Sequence, residues 1–146
     1  MTPDQLGDAL VGAMPDALIA CDAKGDIRFW NAAAERMFGY ASSEAIGRSL
    51  DIIIPEAQRA RHWSGYEKTM ATGESRYGDG ALLRVPAVTK DGRRISIEFT
   101  IMALRDSAGA MEGVAAVIRD VTEAFEERRR LQRQLAAAQG RSSVQA

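Results

Sequence analysis

Hydrophobic positions along the chain change period several times, and each change marks an element. Leu6, Ala9, Leu10 and Ala13 recur at helical spacing behind Thr2-Pro3-Asp4, a helix start with proline in its first turn, and Pro15 closes the segment. Residues 17–21 and 26–30 read as short strands, and Ala23-Lys24-Gly25 between them makes the pair a hairpin. Asn31 can cap a helix over 32–38, which Gly39 stops, and Ser42 and Ser43 can cap a further short segment running into Gly47. Pro55 opens the longest internal helix, predicted over 56–71, whose apolar stripe is Ala60, Trp63, Tyr66 and Met70. Gly73 ends it.

Three more strands are predicted over 81–89, 93–104 and 111–119, joined by Lys90-Asp91-Gly92 and Ser107-Ala108-Gly109. In the middle one Ile95, Ile97, Phe99 and Ile101 alternate with Ser96, Glu98, Thr100 and Met102, so the two sets face opposite sides of a sheet. The order implies an α+β fold, a five-stranded antiparallel sheet with helices on one face. Behind the last strand, Val121, Ala124, Arg128, Leu131, Leu135 and Ala138 fall at the alternating three-and-four spacing of a coiled-coil seam. Acids (Asp120, Glu123, Glu126, Glu127) precede bases (Arg128, Arg129, Arg130, Arg133), the order a helix dipole favours. The predicted organisation is a cap helix at 1–14, a sheet domain at 15–120, an output helix at 121–139 and a disordered tail at 140–146.

Bulk properties narrow the function classes. The 146 residues suit one domain, 46% are hydrophobic and 27% charged, and the formal net charge is -1. No global field favours nucleic acid or an anionic membrane, and the basic stretch near the C-terminus lacks interleaved aromatics. One cysteine, Cys21, gives no disulfide framework, and no leader or long apolar span is evident, so the expected compartment is the cytoplasm.

The chain resembles the PAS family in a series of short pieces set in order. They are Asp22-Ala-Lys-Gly25-Asp-Ile27, Trp30-Asn31-Ala-Ala-Ala-Glu35, Phe38-Gly39-Tyr40, Glu44-Ala-Ile-Gly47, Lys90-Asp91-Gly92 and Arg119-Asp120-Val121-Thr122-Glu123. The resemblance covers roughly residues 12–125 and implies a sensory domain whose sheet and helices enclose a pocket for heme, flavin, a metabolite or side chains alone. It implies that Ile97, Phe99, Ile101 and Ala116 face the pocket, that Glu44 and Lys90 pair as a salt bridge, and that Asp120, Val121 and Thr122 hand the signal to the output helix. It also implies homodimerisation through the first helix (Leu6, Leu10), the outer sheet face (Met102) and the terminal seam, with a kinase or other signalling effector downstream. A ligand-free interaction module is the rival reading.

His62, the one histidine, lies where heme-binding members of the family place an axial ligand, counting from Pro55. Neutral imidazole ligates iron well. The plainer reading is a histidine at the edge of a helix face. Those relatives carry a tyrosine three residues further on, whereas Tyr66 is four on, which would bring Trp63 to the ligand position. Counting back from Lys90, their distal arginine is replaced by Leu83, with Arg84 facing the other way. Trp63 and Tyr66 read as core or as pocket lining. The cofactor is therefore open, with heme b one candidate. Flavin photochemistry is disfavoured, because Leu50 stands where its reactive cysteine is needed and Cys21 reads as a buried small hydrophobe.

No enzyme is expected. One histidine and one cysteine far apart leave no triad or zinc set, and Gly78-Asp79-Gly80 precedes a strand rather than a helix, unlike a phosphate loop. A small enzyme on a similar curved sheet is the remote alternative and needs a pocket carboxylate with a raised pKa.

Overall fold

A computed structural model describes residues 1–74 and 81–145, with side chains described through Arg141. Gly78-Asp79-Gly80 and Ala146 lie outside the described residues. The order is α1 (Pro3–Ala13), β1 (Ala17–Asp22), β2 (Ile27–Trp30), α2 (Ala32–Phe38), α3 (Ser42–Ala45), α4 (Arg59–Thr72), β3 (Leu83–Val88), β4 (Arg94–Arg105), β5 (Met111–Asp120) and α5 (Thr122–Gln145). Single 3-10 turns at Leu50–Ile53 and Glu56–Gln58 lead into α4.

All five strands form one antiparallel sheet in the order β2-β1-β5-β4-β3. The first strand thus pairs with the last, Ala17 opposite Ile118 and Cys21 opposite Val114. Alternation puts Ala17, Ile19 and Cys21 on the inner face with Ile95, Ile97 and Ile118, all buried. Helices α2 and α3 cover that face with Ala33, Ala34, Phe38 and Ala45. Asn31 anchors the covering: Oδ1 accepts from Leu18 N (2.9 Å) and Ala34 N (3.0 Å), and Nδ2 donates to Asp16 O (3.1 Å). The side chain thus caps α2 and ties it to β1.

Several expectations are corrected. The helix predicted over 56–71 begins as a 3-10 turn and becomes α-helical only at Arg59, since the fixed φ of Pro55 leaves that residue extended at ψ 140. Ala41, rather than Ser42 or Ser43, is the N-cap of α3, where Glu44 Oε1 accepts from its backbone N–H at 3.0 Å. Val121 precedes α5 instead of starting it. The helix also runs through the predicted tail to Gln145, because one glycine, Gly140, costs only about 1 kcal/mol inside a helix of good formers. The N-terminal helix is present as expected; none of its residues is fully buried, and Leu6 and Leu10 are 46% and 55% exposed. Among the described residues no helix is long and apolar enough to cross a membrane.

Candidate functional site

Helix α4 carries the histidine and is docked by polar bonds together with the half-buried Trp63 and Tyr66 rings, although none of its residues is fully buried. At its start, Arg59 donates to Ile54 O (3.1 Å) and Asp51 O (3.3 Å). One turn on, Trp63 Nε1 donates to Asp51 Oδ1 at 2.6 Å while its ring lies over Gly25 in the β1–β2 turn. Gly25 sits at φ 86, and a Cβ there would fall 2.1 Å from the Trp63 ring, so both the turn and the indole require glycine. Tyr66 Oη donates to Asp22 O. At the C-terminal end Arg105 Nη2 donates to Gly73 O at 2.7 Å and meets the negative end of the helix dipole.

His62 lies edge-on to Trp63 (4.5 Å between centroids) and tilted against Tyr66 (5.9 Å). Burial lowers its pKa against the opposing pull of the Asp51 carboxylate, so the ring is held neutral. Its Nδ1 is buried with no partner among the described residues. Across the inner face, Ile97 is sealed, but Phe99, Ile101 and Ala116 stay partly exposed, as does Leu83 opposite Phe99. Ile101, Ala116 and Ile19 lie side by side on β4, β5 and β1. This half-open apolar strip shares its face with the Trp63 and Tyr66 rings, which pack on the same core. Burial pushes the Tyr66 hydroxyl up, with the nearby Cys21 and Asp22 adding to the shift, and it pushes the Cys21 thiol up to about 12. Such a thiol is inert as a nucleophile.

Glu44 and Lys90 meet at 2.5 Å, joining α3 to the β3–β4 turn, with the ammonium 5.9 Å from the Tyr40 ring. The junction between β5 and α5 is also hydrogen-bonded. Val121 N donates to Ser96 O (2.9 Å), and Ser96 N donates to Thr122 Oγ1 (2.9 Å), whose own hydroxyl donates to Asp120 Oδ1 (2.5 Å). Ser96 lies between the buried Ile95 and Ile97, so the first turn of α5 is fastened to the strand that lines the inner face.

The structure therefore brings together His62, Trp63 and Tyr66, and separately Leu83, Phe99, Ile101 and Ala116, on one side of the sheet. Met102 lies on the other, 47% exposed. Asp51, Arg105 and Gln58 were missed by sequence reasoning. The partners of Asp51 and Arg105 lie 12 and 32 residues away, beyond any local signal. Gln58 could have been found as the residue one helical turn before His62. An open cleft of about 470 Å³ adjoins the α4 start, lined by Tyr40, Arg48, Asp51, Arg59 and Thr89.

A curved antiparallel sheet whose first and last strands pair, covered by short helices and continued by a helix fastened to an inner strand, defines a sensor-type domain. The model of the PAS fold matches residues 5–121, and the chain belongs to that family. It is 31% identical over 125 residues to Sensor protein FixL of Bradyrhizobium diazoefficiens, covering 85% of this chain and 24% of that protein. Oxygen sensor protein DosP of Escherichia coli is 29% identical over 97 residues, 66% of this chain and 12% of its own length. The chain thus spans about a quarter or less of these relatives. Among solved structures, an RNA-binding Light-Oxygen-Voltage receptor superposes with a TM-score of 0.74 and 26% identity over 92% of this chain and 37% of that one.

Proposed function

We propose that this domain is the ligand-responsive input of a signalling protein and that its signal leaves through α5 toward a kinase-type effector. The observation that carries the reading is the Ser96–Thr122–Asp120 junction. A ligand against Phe99 and Ile101 that moves β4 must also move the acceptor held by Ser96 N–H, and with it the first turn of α5. The domain is proposed to be non-catalytic. Among the described residues, the carboxylates with displaced pKa values, Asp22, Glu44 and Asp91, are held low, the opposite of a general acid poised near neutrality.

Heme b is the proposed ligand. The donor chemistry fits: a neutral imidazole with an unpartnered buried nitrogen stands on the same side of the sheet as a half-open apolar strip. His62 would ligate the iron, and Leu83, Phe99, Ile101 and Ala116 would line the apolar side of the site. Bound there, heme would supply an iron that responds to a diatomic gas or to redox state. Leu83 is apolar and would offer no hydrogen bond to a bound gas, so carbon monoxide, nitric oxide or redox state is proposed over oxygen as the signal. Hemin added to the purified protein should give a sharp Soret band that His62→Ala abolishes, and should change hydrogen exchange at Ser96 and in the first turn of α5. No band, or the same band in the variant, rules heme out.

One observation favours a second reading, a side-chain-filled interaction module. Trp63 and Tyr66 already pack on the core and hydrogen-bond to the β1–β2 side. A protein that stays colourless with hemin selects it. In both readings a parallel homodimer is proposed, since Met102, Leu131 and Leu135 are 47%, 53% and 60% exposed and Leu6 and Leu10 lie bare on α1. Sedimentation should shift toward monomer in a Leu131→Asp, Leu135→Asp double variant, and an unchanged profile excludes α5 from the interface.

A further inference from the structure

Two side-chain polar atoms among the described residues are buried without a hydrogen-bond partner, Gln58 Oε1 and His62 Nδ1. They belong to residues four apart at the entry to α4, Gln58 ending the 3-10 turn and His62 following in the first turn of the helix. Side chains at this spacing lie one above the other on a helix face. The two atoms are also chemically complementary. A carboxamide oxygen only accepts, while Nδ1 of an uncharged imidazole can carry the ring proton. Buried polar atoms in folded proteins are overwhelmingly paired, so two orphans stacked on one face have each other as the nearest remedy. Among their neighbours, Trp63 Nε1 donates to Asp51 Oδ1 and Tyr66 Oη to Asp22 O, and the Asp51 carboxylate, whose charge acts on His62, is a competing acceptor.

We infer that Gln58 is the positioning residue of His62, its carboxamide oxygen accepting from Nδ1–H either directly after a rotamer change or across one water. The consequence is a fixed tautomer, with the proton on Nδ1 and the lone pair on Nε2. An imidazole held this way presents Nε2 as a ligand to iron, or as an acceptor to an N–H or O–H of another ligand, without first moving a proton. Gln58 would then tune the donor strength of Nε2, since a stronger acceptor at Nδ1–H pushes electron density onto the opposite nitrogen. The inference deepens the heme reading, but its first test does not depend on heme.

That test is ¹⁵N imidazole correlation spectroscopy on the ligand-free protein, at a pH above the titration of the ring. The wild type should show His62 in the Nδ1–H tautomer, Gln58→Ala should shift it toward the Nε2–H form, and Gln58→Glu should retain Nδ1–H. A wild type in the Nε2–H form, or a tautomer ratio unchanged in Gln58→Ala, overturns the inference. Matching thermal melts of the variants separate this from a folding defect. The second test is resonance Raman spectroscopy of the hemin-loaded, reduced protein. The iron–histidine stretch should fall in Gln58→Ala and rise in Gln58→Glu, and identical stretches in all three overturn the inference. Hemin that fails to bind, or binds equally to His62→Ala, removes the heme reading instead and leaves the tautomer measurement to decide on Gln58.

Discussion

The two sides of the inner face are held by different forces. Under α2, Ile27, Trp30, Ala34 and Phe38 are each at most 3% exposed, and Trp30 Nε1 and Asn31 make hydrogen bonds that close the same layer. Helix α4 buries no residue fully and is held by the half-buried Trp63 and Tyr66 rings and by polar bonds at its start, middle and end from Arg59, Trp63, Tyr66 and Arg105. Burial of apolar area is cumulative and tolerant of small displacements. A polar bond contributes only about 0.5–1.5 kcal/mol net and is lost when its geometry is lost. The α2 side is therefore a scaffold, and α4 is the element that can open without unfolding the domain. A sensor needs both, and here they share one sheet.

Truncating the scaffold should have the largest effect. Phe38→Ala, at a side chain with no exposure, should cost about 3–5 kcal/mol in urea denaturation. Phe99→Ala, on the half-open strip, should cost about 1–2 kcal/mol, because part of its area stays in water. Equal losses at the two sites would break the comparison. Trp63→Phe keeps an aromatic ring over Gly25 but removes the bond to Asp51, and should cost about 1 kcal/mol. The sharper readout is hydrogen exchange: amides of α4 should lose protection while those of β1 and β5 keep theirs. Loss spread over the whole sheet would mean that α4 is not an independent unit.

Acid should reveal His62. Burial sets its pKa in the folded protein below the ordinary value of 6.5, so the unfolded chain binds more protons between the two values. Stability should therefore fall as pH drops through this window below 6.5 and level off once the folded pKa is passed. His62→Gln should flatten that slope relative to wild type. The smallest effect is expected at the surface: Lys90→Ala breaks the bridge to Glu44 between half-exposed side chains and should leave the denaturation midpoint almost unchanged, with any difference vanishing in high salt.

The scaffold was the legible part of the sequence. Asn31 before an alanine-rich turn, Gly39 after it and the alternation from Ile95 to Ile101 are local signals, and each maps to a local structure. Docking of α4 was not legible, because Asp51, the Asp22 carbonyl and Arg105 reach it from three other elements and nothing in their own neighbourhoods marks them. Amphipathic spacing was legible at α1 too, where Leu6 and Leu10 form a stripe that this chain leaves exposed. The stripe specifies a face, while what lies against it depends on the rest of the assembly. His62 was found by its rarity and Gln58 was overlooked, although the unpaired atoms of the two stand one turn apart.

Pairing the first strand with the last has a consequence for how the domain comes into being. Residues Ala17–Asp22 leave a ribosome roughly ninety residues ahead of their neighbours at Met111–Asp120, and Asp16 meets Arg119 across a separation of 103. Until then β1 has only β2 on one side, and its other edge stays bare. Contacts this distant in the chain are slow to close, so the sheet should be assembled late and nearly all at once. The closing strand runs directly into α5, and Thr122 finds Ser96 only when β4 and β5 are already side by side. A terminal helix fastened in this way registers first of all that the domain behind it has finished folding.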